Sequence, residues 1–505
     1  MTSAQSVDSV RDALGWLQAL PKSAITGDLR LDSRSVQRGD IFVALGGAKE
    51  DGRRYLGDAF GRGAKAALAD DDEWPAGTAE PANVLRVRGL RTALGPIAAA
   101  YYGCPSERML SVGVTGTNGK TSCSQWIAQL LTRTGRRCAV IGTVGMGFPG
   151  ALRPSELTTP DAASLQREVR ALLEAGAKAL AMEVSSIGLA QHRVDGMHFD
   201  VTLFTNLTRD HLDIHGTMEH YEAAKARLFE WAGLRHAVIN MDDAAGQRIA
   251  ARALANGVDI IGYSATGSES PRPVSPRLLA RDVQATADGL AFELCIDGDR
   301  HAVAVPLVGH FNVANVLGVV GVSIACGIPA DAAVAALPNL MPPPGRMQRV
   351  PQATQPLVVV DYAHTPDALA QALAALQPLA RARRGRLWIV FGAGGDRDPG
   401  KRVLMGEAAA AAADVVVVTS DNPRTEDPRA IVAQIAEGAA SATQLITETD
   451  RARAIDRAVL EADHADVVLI AGKGHEDYQI IGSMRHPFSD VEHATQAIIR
   501  RAGAT

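Results

Sequence analysis

The stretch Gly113-Val-Thr-Gly116-Thr-Asn-Gly119-Lys120-Thr121 is the feature that most narrows what this 505-residue chain can fold into. It follows an apolar run at 109–114 and opens a helical pattern at 120–131. A strand, a glycine loop and a helix in that order form a phosphate cradle. Glycines let main-chain N–H groups close on phosphate oxygens, and the helix N-terminus adds partial positive charge. Lys120 would reach the terminal phosphates and the Thr121 hydroxyl would hold Mg²⁺. The spacing departs from the standard G-x-x-x-x-G-K-[ST] because position 114 is valine, so this is a variant. A glycine turn followed by a chance Lys-Thr is the bland alternative, and the strand–loop–helix context argues against it.

The surroundings extend that pattern. Apolar runs recur at 179–184, 201–204 and 237–239, separated by helix-length segments. This alternation predicts α/β architecture with a mostly parallel sheet covered by helices on both faces. The stretch 267–300 is richer in Ser, Pro and Asp and reads as an antiparallel excursion. After Pro342-Pro343-Pro344-Gly345, a plausible hinge, apolar runs at 357–360, 387–391, 415–419 and 467–471 alternate with helices again. At this length about two to four domains are expected. The pattern predicts three: an N-terminal α/β domain over 1–107, a central P-loop-type domain over 108–341 and a C-terminal Rossmann-like α/β domain over 342–505.

Composition narrows the class further. A net charge of -5 argues against a nucleic-acid-coating surface. No run approaches the length needed to span a bilayer, and the acidic, weakly apolar first 20 residues do not read as a signal peptide. The five cysteines, Cys104, Cys123, Cys138, Cys295 and Cys326, are odd in number and never in CxxC spacing. A reducing compartment, the cytoplasm, is the expectation.

Two further segments carry chemistry. Glu183 ends an apolar run in Met182-Glu183-Val184-Ser185-Ser186, which puts a carboxylate at a strand's carboxyl end, where α/β sheets bind ligands. Mg²⁺ takes such oxygen ligands, although a capping glutamate fits that position as well. Asn206-Leu-Thr-Arg-Asp210-His211-Leu-Asp213-Ile-His215 crowds two acids with two histidines, or else is a loop of satisfied polar groups.

In order, the chain then contains Tyr221-Glu-Ala-Ala-Lys225, His310-Phe-Asn312-Val-Ala-Asn315, Gly345-Arg346-Met and Asp361-Tyr-Ala-His364-Thr-Pro-Asp367. Gly394-Gly-Asp396-Arg397-Asp398, Asp421-Asn-Pro-Arg424 and Gly472-Lys-Gly474-His475-Glu476 complete the series. Together with the loop, Glu183 and the 206–215 segment, this set resembles the Mur ligases over essentially the whole chain. It is most similar to the branch that adds the third amino acid of the peptidoglycan peptide.

The resemblance implies an ATP- and Mg²⁺-dependent acid–amino-acid ligase acting as a monomer on small molecules. Its substrates would be UDP-MurNAc-L-Ala-D-Glu and meso-diaminopimelate, with no nucleic acid and no membrane insertion involved. It implies that Gly116, Thr117, Asn118, Gly119, Lys120, Thr121 and Ser122 hold the ATP phosphates. Asn312, Arg346, Asp361 and His364 would supply the remaining nucleotide contacts. Thr121, Glu183 and His211 would ligate Mg²⁺, joined by Lys225 as an N6-carboxylysine. Lys120, Lys225 and His211 would be the catalytic set. Without the resemblance, Lys225 reads as an exposed helix lysine. The first domain would bind the uridine substrate through Leu31, Ser33, Ala48, Lys49 and Glu50. The central domain would add Thr158, Thr159, Ser185, Gln191 and Arg193, and Leu157 stands where some relatives have a polar residue. Arg397, Asp421, Asn422, Pro423, Arg424, Gly472 and Glu476 would receive diaminopimelate. Arg424 in its turn could instead pair with Glu426 or Asp427 on the surface. The rival readings are the same ligase adding L-lysine, a sibling Mur ligase, folylpolyglutamate synthetase, and an NTP-driven switch or motor.

Overall fold

The computed structural model describes residues 5–20, 27–47, 50–72, 74, 83–208, 210–267, 274–286, 289–350 and 356–503. The chain forms two compact units. One comprises Met1–Tyr263, Ser270–Pro276 and Gly318–Pro329, and the other Ser264–Glu269, Arg277–Leu317 and Ala330–Thr505. Among the described residues no helix is long and apolar enough to cross a membrane.

The first unit holds two sheets. The smaller is all parallel, in the order Gln5–Val7, Val84–Val87, Ala66–Asp70, Ile41–Ala44, Leu29–Arg30. In the larger, Asp259–Ser264, His236–Asn240, Val201–Phe204, Leu110–Thr115, Ala179–Glu183 and Cys138–Gly142 pair in parallel in that order. The short strands Gly145–Phe148 and Ala151–Arg153 then add antiparallel. All five residues of Ala179–Glu183 and of Cys138–Gly142 are buried. Helices on both faces bury these strands, which is why they read as unbroken apolar runs rather than alternating ones.

Register decides the site. Glu183 lies opposite Val114, Phe204 opposite Thr115 and Met182 opposite Ile141. Four strands therefore end level, and the segments leaving them at 116–121, 143, 184–185 and 205–206 share one edge of the sheet. Open parallel sheets bind ligands at that edge. The helix Lys120–Arg133 starts from Gly119 in a left-handed conformation (φ 85°) and buries Cys123, Trp126, Ile127, Leu130 and Leu131.

The second unit contains the antiparallel excursion, Leu278–Thr286, Gly289–Ile296 and Asp299–Val305, with a bulge between Arg281 and Gln284. Its main sheet runs Gln348–Arg349, Leu357–Asp361, Val467–Ala471, Leu387–Phe391, Val415–Val418, Gln444–Thr447. All pairs are parallel except the first. The alanine run at 408–413 lies almost wholly in the helix Gly400–Ala412, as strong helix formers should. A hairpin, Tyr478–Ile481 with Met484–Pro487, stands outside the sheet.

Candidate active site

The glycine loop is locked by its neighbours before any ligand arrives. Thr117 N donates to Asn206 O at 2.8 Å and Asn118 N to Asn206 Oδ1 at 2.9 Å. Thr205 Oγ1 donates to Asn118 O at 2.6 Å. A Cβ at Gly116 (φ 148°) would run into Thr205 Oγ1, so glycine is required there. Lys120 Nζ donates to Gly116 O and Thr117 O, each at 2.8 Å, and so lies folded along the loop it serves. Ser122 is half-buried in the helix's first turn.

Thr121 Oγ1 donates to Glu183 Oε2 at 3.0 Å across 62 residues of sequence. Two buried oxygen donors meet at a strand end beside a phosphate loop, which is the ligand type Mg²⁺ takes. Glu183 is held by Thr143, whose N–H donates to Oε1 at 2.9 Å and whose Oγ1 donates to Oε2 at 3.1 Å. Thr143 leaves the strand Cys138–Gly142, and its role was not read from the sequence. A threonine directly after a strand's carboxyl end is the signal that could have found it.

From Thr143 the network continues to the segment expected to hold the acceptor. Thr143 Oγ1 and Thr158 Oγ1 lie 3.0 Å apart. Thr159 Oγ1 donates to Glu183 O at 3.0 Å and to Ser185 Oγ at 3.1 Å. Arg193 donates to Thr159 O at 2.8 Å and clasps Gln191 Oε1 through Nε and Nη2. Thr158, Thr159, Ser185, Gln191 and Arg193 thus form one cluster with Glu183. Leu157 is exposed beside it.

Lys225 is not the exposed helix lysine that the bare sequence suggests. It is 1% exposed, and its Nζ donates to Gly116 O at 2.8 Å, the same carbonyl that Lys120 uses. Burial first, and the Lys120 charge second, push its pKa well below the ordinary lysine value, while Asp210 pulls weakly the other way. Tyr221 lies beside it, with the Lys225 ammonium 4.5 Å from the ring centroid and the Tyr221 hydroxyl 3.2 Å from Thr117 Oγ1. Burial pushes the Tyr221 hydroxyl up to about 12. His211 stands in a left-handed turn (φ 52°), its ring 3.4 Å from Asp210 and edge-on to Tyr221. It makes no hydrogen bond to Glu183 or Lys225 among the described residues, and no group of three His, Cys, Asp or Glu side chains forms a metal cluster there.

On the smaller sheet, Leu31 packs partly buried against the core and Ser33 is buried in a single turn capped by Asp32. Glu50 is exposed, and Ala48 and Lys49 lie outside the described residues.

The second unit gathers the other predicted residues at its own strand ends. Asp361 is half-buried and accepts from Met347 N at 2.8 Å and Ala363 N at 2.9 Å. Burial raises its pKa, with Arg346 opposing. Arg346 lies 4.8 Å from the Tyr362 ring centroid, and its buried Nε has no hydrogen-bond partner among the described residues. His364 is exposed with Nδ1 2.8 Å from Tyr362 O. Asn312 has both ends of its amide used, by Val308 O at 2.7 Å and Asn315 Nδ2 at 2.9 Å.

Asp421, Asn422 and Pro423 are buried, and Asn422 Nδ2 donates to Glu476 Oε2 at 3.0 Å. A Cβ at Gly472 (φ 116°) would come within 2.7 Å of Asp421 Oδ2, so this glycine makes room for the carboxylate. Arg424 sits in a left-handed turn (φ 50°) and donates to Gly395 O at 2.7 Å. It does not pair with Glu426, which is held by Arg402 through Nη1 and Nη2 at 2.8 Å each. Arg397 is exposed with no ion pair among the described residues. Lys473 and Gln479 bind into this cluster and were not read as site residues.

Three family models match, in order. "Mur ligase family, catalytic domain" covers 28–102, "Mur ligase middle domain" 114–323 and "Mur ligase, glutamate ligase domain" 345–474. The chain belongs to the Mur ligase family. It is a ligase whose mixed α/β fold is built on parallel sheets. The UDP-N-acetylmuramoyl-L-alanyl-D-glutamate--2,6-diaminopimelate ligase of Ralstonia nicotianae is 51% identical over 97% of this chain and 96% of its own length. A solved structure of a ligase of that name superposes with a TM-score of 0.69 at 38% identity, over 94% of this chain and 95% of that one. The MurF ligase of Thermotoga maritima, solved in complex with ADP, shares the fold at a TM-score of 0.64 and 20% identity, covering 96% and 100% of the two chains.

Proposed function

We propose that this ligase uses ATP to join meso-2,6-diaminopimelate to the D-glutamate side-chain carboxylate of UDP-MurNAc-L-Ala-D-Glu. The relatives named above support the reaction. The observation that carries the choice of amino acid is the freedom of Arg424 from its acidic neighbour. Arg402 takes Glu426 bidentately, and the Arg424 guanidinium hydrogen-bonds a main-chain carbonyl instead. A guanidinium not already spent on a carboxylate can receive one from the substrate. Diaminopimelate differs from lysine by that carboxylate.

In this reading the substrate's γ-carboxylate oxygen attacks the γ-phosphorus of ATP, a C–O–P bond forms and ADP leaves. The free-base amine of the amino acid then attacks the acyl carbon. The tetrahedral intermediate expels phosphate, and the amine's extra proton passes to solvent. Both steps bring anions together, so Lys120 serves by neutralising charge on the transferring phosphoryl group. Thr117, Asn118 and Gly119 are preset by Asn206 and Thr205, so the cradle needs little reorganisation. Thr121, Glu183, His211 and a carbamate on Lys225 are the residues we propose to hold Mg²⁺, which supplies positive charge against the phosphate oxygens. The depressed lysine suits that modification: the neutral Nζ lone pair attacks CO₂, an N–C bond forms and one N–H proton goes to water. Thr158, Thr159, Ser185, Gln191 and Arg193 would orient the acceptor, and Leu31, Ser33 and the 48–50 segment its uridine. Asn312, Arg346, Asp361 and His364 would contact the nucleotide. Domains at 1–107, 108–341 and 342–505, a monomer and a cytoplasmic location complete the proposal.

The test is an amino-acid panel with ATP and UDP-MurNAc-L-Ala-D-Glu, read by product mass and phosphate release. Phosphate should appear only with both acceptor and amino acid present. A site built for the second carboxylate should favour diaminopimelate over lysine by about 10³ or more in kcat/KM. Comparable values for the two would overturn the assignment.

A further inference from the structure

Lys473 is completely buried and has no part in the mechanism above. It follows the strand Val467–Ala471 after Gly472, and its ammonium reaches into the loop at the end of Val415–Val418. Nζ donates to Asn422 Oδ1 at 2.9 Å and Asp421 Oδ1 at 3.2 Å, and it lies 3.4 Å from Glu476 Oε2. Asn422 is itself pinned at both ends, with Nδ2 on Glu476 Oε2 at 3.0 Å and Oδ1 accepting Ile480 N at 2.9 Å. Glu476 Oε2 is therefore held twice, while Oε1 has no hydrogen-bond partner among the described residues.

Behind this group a second buried cation closes the frame. Arg451 is 1% exposed, pairs bidentately with Asp490 at 2.7 Å per bond and donates to Ser420 O and Ala471 O, the ends of both loops. Burial alone would push the Asp421 carboxyl up. Lys473 and Arg451 outweigh it, and the net direction is down, so Asp421 remains an anion. A buried ammonium with this many charged and amide partners is a fixed strut rather than a reactive amine.

We propose that Lys473 is a positioning residue that sets affinity for the amino-acid substrate. By tying Glu476 Oε2, Asn422 and Asp421 together, it fixes one ammonium acceptor, Glu476 Oε1, relative to one carboxylate donor, Arg424, two residues beyond Asn422. Without it, Asp421 and Glu476 lose the one cation hydrogen-bonded to both, and Glu476 keeps only its bond from Asn422. The inference rests on the reading that Arg424 and Glu476 receive diaminopimelate.

The test is steady-state kinetics of Lys473→Met, which keeps the stem volume and removes the charge, beside Glu476→Gln and Arg424→Ala. Lys473→Met should raise the diaminopimelate KM about tenfold or more, with kcat and the KM values for ATP and UDP-MurNAc-L-Ala-D-Glu within about threefold. If Glu476→Gln and Arg424→Ala raise that KM but Lys473→Met does not, Lys473 has no positioning role and the site assignment stands. If none of the three changes it, the site assignment itself fails. A fall in kcat with all three KM values unchanged marks a merely structural residue and also overturns the proposal. Should Lys473→Met fail to fold, Lys473→Arg carries the test: it keeps the charge but misplaces the donors, so a three- to tenfold rise in the diaminopimelate KM is expected, roughly, on the same grounds. An unchanged value there overturns the proposal.

Discussion

Two lysines in this molecule are equally buried and have opposite surroundings. Lys225 is 1% exposed and Lys473 0%. Lys225 has a main-chain carbonyl as its acceptor, shares it with Lys120, and has no carboxylate within salt-bridge distance among the described residues. Its proton is destabilised from two directions, by desolvation and by a like charge. Lys473 has two carboxylates and an amide oxygen around it. Burial therefore does not decide what a lysine does; its partners do. The first arrangement weakens the hold on the amine's proton, as the proposed carbamate requires, and the second surrounds the amine with carboxylates.

The largest effect that could break this comparison is at Lys225. Lys225→Ala should lower kcat by about 10³ or more, since the amine's derivative is assigned to the phosphoryl-transfer centre. Formate or acetate should restore part of the activity by replacing the missing oxygens, and Lys225→Arg should be as inactive as the alanine variant. An active arginine variant would mean that a plain cation suffices, and the contrast with Lys473 would collapse.

Arg424→Ala comes next. Two charge-assisted hydrogen bonds lost to a carboxylate amount to about 3 kcal/mol, or roughly 10² in the diaminopimelate KM. Lysine turnover should change little, because lysine has no second carboxylate to lose. Equal losses for both amino acids would show that Arg424 braces the loop through Gly395 instead.

Smaller again is Thr143→Val, which removes one of the two Thr143 hydrogen bonds to Glu183 and keeps the main-chain one. Binding of Mn²⁺ as a spectroscopic stand-in should weaken about tenfold, as for other groups that orient a metal ligand, with recovery in Thr143→Ser. Unchanged Mn²⁺ affinity in the valine variant would leave Glu183 positioned by the strand alone.

Much of the architecture was legible because strands covered on both faces are continuous apolar runs. The runs 201–204, 387–391 and 467–471 coincide with the strands Val201–Phe204, Leu387–Phe391 and Val467–Ala471. The helix read at 120–131 continues to Arg133, and the antiparallel excursion read at 267–300 has its strands from Leu278 to Val305. The loop and Glu183 could be placed because the one follows a strand and the other ends one, whereas the acceptor residues came from the family resemblance. The partners that tune them could not. Thr143 and Glu183 are 40 residues apart, and Lys473 and Asp421 52. They meet only because parallel strands bring their carboxyl ends level. Arg424 beside Glu426 invited a local ion pair, but the helix Gly400–Ala412 brings Arg402 to Glu426 instead. Sequence proximity is a poor guide to pairing wherever a sheet gathers loops from distant segments.

Stability separates the two lysines by sign. In nucleotide-free, CO₂-free buffer Lys225 is an unmodified amine whose folded pKa lies well below its ordinary 10.5. Between those two values the unfolded chain binds more protons than the folded one, so stability rises with pH and this penalty vanishes only above the unfolded value. Lys225→Met removes the penalty. The variant should therefore melt above the unmodified protein near neutral pH, by about 1–3 °C for a chain of this size, and the gap should close as the pH approaches 10. Lys473→Met should move the other way at neutral pH, because it removes the ammonium bonded to buried Asp421 and half-buried Glu476, a loss of about 1–3 kcal/mol. Melting curves of both variants between pH 7 and pH 10 make the check. If Lys225→Met melts lower at pH 7 and the deficit persists to pH 10, Lys225 is a stabilising ammonium in the folded chain and the contrast between the two lysines fails.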